Sequence, residues 1–168
     1  PVHRALDVAR EKGAGAGAIG TTGRGIGPCY EDKAARRGVR MIDLLQPEFF
    51  RERVAGVLTE RNLLLASYGA ETQSVDAICD EYAAYAERLA PHVADTVSYV
   101  AAESQANRRI LFEGAQAAML DIDHGTYPFV TSSNTLSGAV GTGGGIAPRH
   151  LGRVLGIAKA YTTRVGAG

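Results

Sequence analysis

The sequence has no surplus of charge of either sign. Eighteen lysines and arginines offset eighteen aspartates and glutamates, so no whole-molecule field argues for nucleic acid or an acidic membrane surface as partner. Any anion site must be local. Cysteine is scarce: Cys29 and Cys79 lie far apart, with no C-x-x-C pattern and no histidine cluster beside them. Neither a disulfide framework nor a cysteine metal site is suggested, and a reducing, cytoplasmic compartment is the simplest expectation. The opening "PVHRALDVAR" has no methionine and no apolar signal core, and the apolar runs fall short of a membrane span. No G-x-x-x-x-G-K-[ST] occurs, which excludes a triphosphate loop of that type, and no G-x-S-x-G signals a hydrolase. Asp121, Asp123 and His124 suggest a metal cluster, but the glycine and distal glutamate of a calcium loop are absent, as is a second histidine at zinc spacing.

What is present is a globular composition. With 168 residues, 45% hydrophobic and 21% charged, the chain can build one core, for one domain and a fraction of another. Residues 3–12 read as an amphipathic helix ending at Gly13. "GAGAIG" follows, with Gly15, Gly17 and Gly20 in a G-x-G-x-x-G match. A dinucleotide fold needs a strand before that motif, and here a helix precedes it. Residues 47–68 predict a long helix with Pro47 in its first turn and Phe50, Val54, Val57, Leu58, Leu64, Leu65 and Tyr68 on one face. Ser74 caps the next helical stretch, Pro91 interrupts it, and "HVADTVSYVAAESQA" resumes the period, making 47–108 a mainly helical subregion. "RRILFEGAQ" and "RVLGIAKAYTTRV" read as strands. Helices between two strand-like segments indicate the α/β class. Because residue 1 falls inside a helix and residue 168 just past a strand-like segment, an internal fragment of a longer protein is expected.

The stretch "TTGRGIGPCYEDKAARRG", residues 21–38, alternates Gly23, Gly25 and Gly27 and then carries Lys33, Arg36, Arg37 and Arg40 at spacings that share a helix face or its edge. Free backbone N–H groups before a helix suit an anion. Acids Glu31 and Asp32 in a first turn, cations in the last and Gly38 beyond it equally suit the helix dipole, so both readings stand. Gln116, after the first strand-like run, offers a donor and an acceptor that can read a purine or amide edge. Thr131, Ser132, Ser133, Asn134 and Thr135 offer neutral donors for a phosphate or a helix cap.

"GIGPCYEDKAAR" (25–36), "FEGAQAAMLDIDHGTYPFVTSSNT" (112–135) and "KAYTTRVGAG" (159–168) resemble the adenylosuccinate synthetase family, in the same order and across essentially the whole chain. The resemblance implies an α/β protein, part of a larger single domain with a mainly parallel central sheet and a helical insertion. It implies a cytoplasmic homodimeric ligase that joins L-aspartate to inosine monophosphate (IMP) with GTP and magnesium, through a 6-phosphoryl-IMP intermediate. By the same resemblance Thr22 and Thr131 hold the IMP phosphate, Gln116 bonds the purine 6-oxygen, Val165 lines the pocket, Arg36 reaches the partner subunit's IMP, and Lys33 belongs to the active site. Ala117 stands where many members have glycine. The GTP, magnesium and aspartate segments of the family have no counterpart here, so the fragment alone is expected to be inactive. A non-catalytic phosphate-ligand module is the alternative that the same loops would serve.

Overall fold

A computed structural model describes residues 1–163. They divide into two compact units, the first spanning Pro1–Val93 and the second starting at Ala94. Val165 lies outside the described residues.

The first unit is helical. Helix α1 (Val2–Ala14) packs on α2 (Ile26–Ala34) and on α4 (Pro47–Ser67); α3 (Met41–Leu44) abuts α4, and α5 (Val75–Leu89) returns along α4. Pro47 takes the first position of α4, where its missing N–H costs nothing. The buried stripe of α4 is Phe50, Val54, Val57, Leu58, Arg61 and Leu65, the spacing expected of a helix facing a core. Val2, Leu6 and Ala9 of α1, Leu44 of α3 and Ile78 of α5 complete that core, and Tyr82 stacks on Phe50 at 5.9 Å. Gly69, at φ 66, ends α4 in the left-handed conformation glycine tolerates, letting the Ala70 N–H reach the Leu65 carbonyl at 2.9 Å. Ser74 caps α5 through the Ala77 N–H, as its sequence indicated.

In the second unit, α6 (Thr96–Gln105) begins at Asp95, whose carboxylate accepts from the Val97 and Ser98 N–H groups, and α7 (Ala139–Gly144) packs on α6. Between them runs a long loop with one 3₁₀ turn, Ala118–Leu120.

Two expectations change and one holds. First, no strand forms among the described residues: 108–116 and 152–163 carry no regular structure, and Leu111 and Ile157 are 90% and 92% exposed. A strand exists only through its ladder partners; no backbone hydrogen bond joins residues 109–116 or 152–163 to any other described residue. Second, α2 begins at Ile26 and ends at Ala34, so Glu31 and Asp32 are not in its first turn, and Arg36, Arg37 and Arg40 lie beyond its end. Left-handed Gly25 starts the helix ahead of Pro28, and Arg36 stops it by turning to φ 63. The helix expected ahead of the glycine motif is present: α1 runs straight into Gly15–Gly17, which coil as a 3₁₀ turn. A helix therefore stands where a dinucleotide fold needs its strand, which removes the dinucleotide-binding reading of "GAGAIG".

Candidate functional site

The glycine loop after α1 is held by acids of α1 itself. Glu11 accepts from the N–H groups of Ile19 (3.3 Å), Gly20 (2.7 Å) and Thr21 (3.3 Å). Asp7, buried, accepts from the Thr21 hydroxyl at 2.9 Å and the Gly25 N–H at 2.8 Å. Backbone donors expected from the sequence to suit an external anion are thus taken by internal carboxylates. Gly25 is required here: at φ 80, a Cβ on it would sit 2.5 Å from the His3 carbonyl carbon. Between these anchors the Gly23 N–H donates to the Thr21 hydroxyl at 3.3 Å. Thr22 and Arg24 are exposed and have no side-chain partner among the described residues.

The cations behind the loop divide in function. Asp32, fully buried, accepts from Arg37 Nε at 2.7 Å, from His3 Nε2 at 2.7 Å and from Arg61 Nε at 3.2 Å and Nη2. Burial pushes the Asp32 carboxyl up, and the Arg61, Arg37 and His3 bonds outweigh it, leaving it at about 2. Arg37 also pairs with Glu60, and Arg10 with Glu31. Arg37 is therefore structural. Lys33 is exposed, its ammonium 5.5 Å from the Tyr30 ring centroid. Arg36 is exposed, left-handed and without a side-chain partner among the described residues.

In the second unit the loop 117–136 closes around Asp121. Its Oδ1 accepts from the N–H groups of Asp123 (3.0 Å) and His124 (3.1 Å), and from the Asn134 amide at 3.4 Å. Its Oδ2 accepts from the N–H groups of Thr135 (2.6 Å) and Leu136 (3.4 Å). These bonds, Thr135 first, hold the carboxyl well below the usual carboxylate range. The Asp121, Asp123 and His124 trio does not suit magnesium, because both Asp121 oxygens already face N–H donors. Thr131 N–H donates to the Leu120 carbonyl at 2.9 Å, and its half-buried side chain has no partner among the described residues. Gln116 is exposed at φ 62. Ala117 adopts extended backbone at φ −151, so the residue there need not be glycine.

Of the residues singled out in the sequence, Thr22, Lys33 and Arg36 belong to the first unit, with Lys33 and Arg36 at the end of α2; Gln116 and Thr131 belong to the second. A groove of about 530 Å³ in the first unit is lined by Pro1, Arg4, Val8, Lys12, Gly23 and Tyr68 among others, and by none of these site residues. The exposed, unpartnered polar groups on anchored loops are the better candidates, because their donors are uncommitted. The sequence reading missed the anchors Asp7, Glu11, Asp32, Arg61 and Asp121. Arg61 did carry a signal: it falls at helical spacing inside the apolar stripe of α4, where a lone cation requires a buried partner.

Known proteins can now be set beside this geometry. The adenylosuccinate synthetase family model matches residues 1–168. The adenylosuccinate synthetase of Nitratidesulfovibrio vulgaris is 57% identical over 170 residues, covering 100% of this chain and 40% of that protein. That of Desulfatibacillum aliphaticivorans is 56% identical over 169 residues, covering 100% of this chain and 39% of that protein. A solved structure of fully ligated adenylosuccinate synthetase from Plasmodium falciparum superposes with a TM-score of 0.90 at 38% identity, covering 99% of this chain and 39% of that one. This chain thus spans about two fifths of the length of these relatives. The α/β class is that of the solved relative, although the described residues here contribute helices and loops rather than its sheet. On sequence along its whole length and on fold alike, the chain belongs to the adenylosuccinate synthetase family.

Proposed function

We propose that this chain supplies the IMP-binding and subunit-contact segments of an enzyme that ligates L-aspartate to IMP at the expense of GTP, through a 6-phosphoryl-IMP intermediate. The observation that carries the reading is the pairing of Arg36 and Gln116: both are non-glycine residues at positive φ, both exposed, both with uncommitted side chains among the described residues. A left-handed backbone costs a side-chain-bearing residue about 1–2 kcal/mol. Such strain at two polar residues in one family's signature segments suits groups held ready for a ligand.

In this reading Thr22 and Thr131 donate hydroxyl hydrogen bonds to the IMP phosphate, each from a loop fixed by a buried aspartate. Gln116 donates its amide N–H to the purine 6-oxygen as negative charge develops there, an electrostatic contribution made without reorganisation. Arg36 reaches the phosphate bound by the partner subunit of a homodimer, as a charge-assisted contact. Lys33 places a second positive charge beside it. Val165 is proposed for the nucleotide pocket. Magnesium neutralises phosphate charge when bound; no residue of this chain is assigned to it or to GTP.

The test uses the full-length protein. Arg36→Leu and a separately inactive Gln116→Ala are mixed after partial unfolding and reassembly. Recovery of adenylosuccinate formation in mixed dimers, to about a quarter of the native rate when subunits pair at random, supports a site shared across subunits. Mixed dimers that form and remain inactive overturn it. The isolated 168-residue chain is expected to give no product, and measurable turnover by it would refute the assignment of the missing chemistry to other segments.

A further inference from the structure

Arg36 occupies a place at the end of α2 that glycine normally takes, with φ 63. Its own side chain does nothing to hold it there. The residues flanking it are fixed, from both backbone and side chain, by Asp32. The Asp32 carbonyl accepts the N–H groups of Arg37 and Gly38, both at 3.0 Å, while its carboxylate takes Arg37 Nε at 2.7 Å. The N–H of Arg36 closes the turn on the Lys33 carbonyl at 3.1 Å. Asp32 is held in turn by Arg61, 2% exposed, whose Nε and Nη2 both face Oδ1, and by His3 from α1.

We propose that the buried Asp32–Arg61 pair is a positioning unit for Arg36, fixing the left-handed turn from which its guanidinium projects. The inference rests on the reading of Arg36 as a phosphate ligand. A buried ion pair adds little net stability over a well-packed apolar pair, so an arginine in the apolar stripe of α4 needs another reason to be there. Geometry supplies one. Among the described residues, Asp32 is the single one that contacts both backbone donors after Arg36 and the side chain of Arg37, so any rotation of the turn must break bonds to Asp32. Arg61 holds Oδ1 through two donors while His3 holds Oδ2, which together fix the carboxylate's orientation; lysine, with a single flexible ammonium, cannot reproduce the two-donor contact. Neither residue touches the ligand.

A double-mutant cycle in the full-length protein tests this, with KM for IMP, kcat and the thermal midpoint measured for Arg61→Lys, Arg36→Ala and the double variant. Arg36→Ala is expected to raise KM for IMP about ten- to a hundredfold, the loss of one charge-assisted bond. Arg61→Lys is expected to raise KM about three- to tenfold with kcat changed less than about twofold, and to raise it no further once Arg36 is alanine. A merely structural Arg61 would lower the thermal midpoint equally in both backgrounds and move KM equally, or not at all; either result overturns the positioning role. If Arg36→Ala alone leaves KM unchanged, the phosphate-ligand reading fails, and the positioning role with it. Should Arg61→Lys not fold, Asp32→Asn, which keeps the shape and removes the charge, completes the same cycle under the same criteria.

Discussion

The two units each surround a fully buried aspartate, and they satisfy it in opposite ways. Asp32 is met by side chains of other segments: the cations Arg61 and Arg37 and the His3 imidazole, from α4, the loop after α2 and α1. Asp121 is met chiefly by backbone N–H groups of its own loop, at Asp123, His124, Thr135 and Leu136. The first arrangement sits on an apolar core of nine residues. The second unit has no other buried residue among those described. Where a core exists, a buried charge can join separate helices; where none exists, the carboxylate itself organises the loop. Both give a fixed frame to neighbouring exposed side chains.

Changes at Asp32 separate the two cases most strongly. In the full-length protein Asp32→Ala removes the shortest partner of the buried Arg61 cation and leaves it the more distant Glu31 at 3.4 Å and Glu60 at 3.9 Å, an expected loss of about 3–5 kcal/mol in denaturant unfolding. Replacing both members, Asp32→Leu with Arg61→Met, is expected to recover part of that loss. No equivalent pair of side-chain substitutions exists for Asp121, because four of its five donors are main chain. Gly25→Ala comes next, at about 2–4 kcal/mol, since the new Cβ meets the backbone of α1 and the residue must stay left-handed. Asp121→Asn should act regionally instead: hydrogen exchange at the amides of Asp123, His124, Thr135 and Leu136 speeds up, while α1 and α4 keep their protection. Equal loss of protection in both units would break the comparison.

Acid sharpens it further. The Asp32 carboxyl is lowered from 3.8 to about 2 on folding, so its contribution is complete above the unfolded value and disappears as pH falls through the folded one. Thermal midpoints of the native protein should therefore decline between about pH 4 and pH 2, and Asp32→Asn should flatten that decline. The smallest expected effect is Ser74→Ala, about 1 kcal/mol by thermal unfolding, which removes a side-chain oxygen from one exposed backbone N–H at the start of α5.

The helices were legible because their signals are local. Pro47, the apolar stripe from Phe50 to Leu65 and the Ser74 cap placed α4 and α5 within a residue or so. The end of α2 was not, because a run of helix-compatible residues gives no warning that Arg36 will turn left-handed; bonds from Asp32 to Arg37 and Gly38, and from α4 to Asp32, decide it. Half of the Asp121 network was readable, since an aspartate bonding N–H groups two and three residues on is a local turn pattern. Its bonds to Thr135 and Leu136 span more than a dozen residues and left no trace in spacing. The strand-like runs were read from composition, whereas a strand is realised only by neighbours.

Those runs carry a practical consequence for handling this stretch of chain by itself. Leu111, Val154, Leu155 and Ile157 stand 63–92% exposed on segments whose backbone groups are unpaired among the described residues. Such a segment is a template for another copy of itself. On its own, the chain is expected to have a concentration ceiling set by self-association through 109–116 and 152–163. Turbidity or light scattering during concentration would register that ceiling, and charged substitutions at Leu111 and Ile157 should raise it.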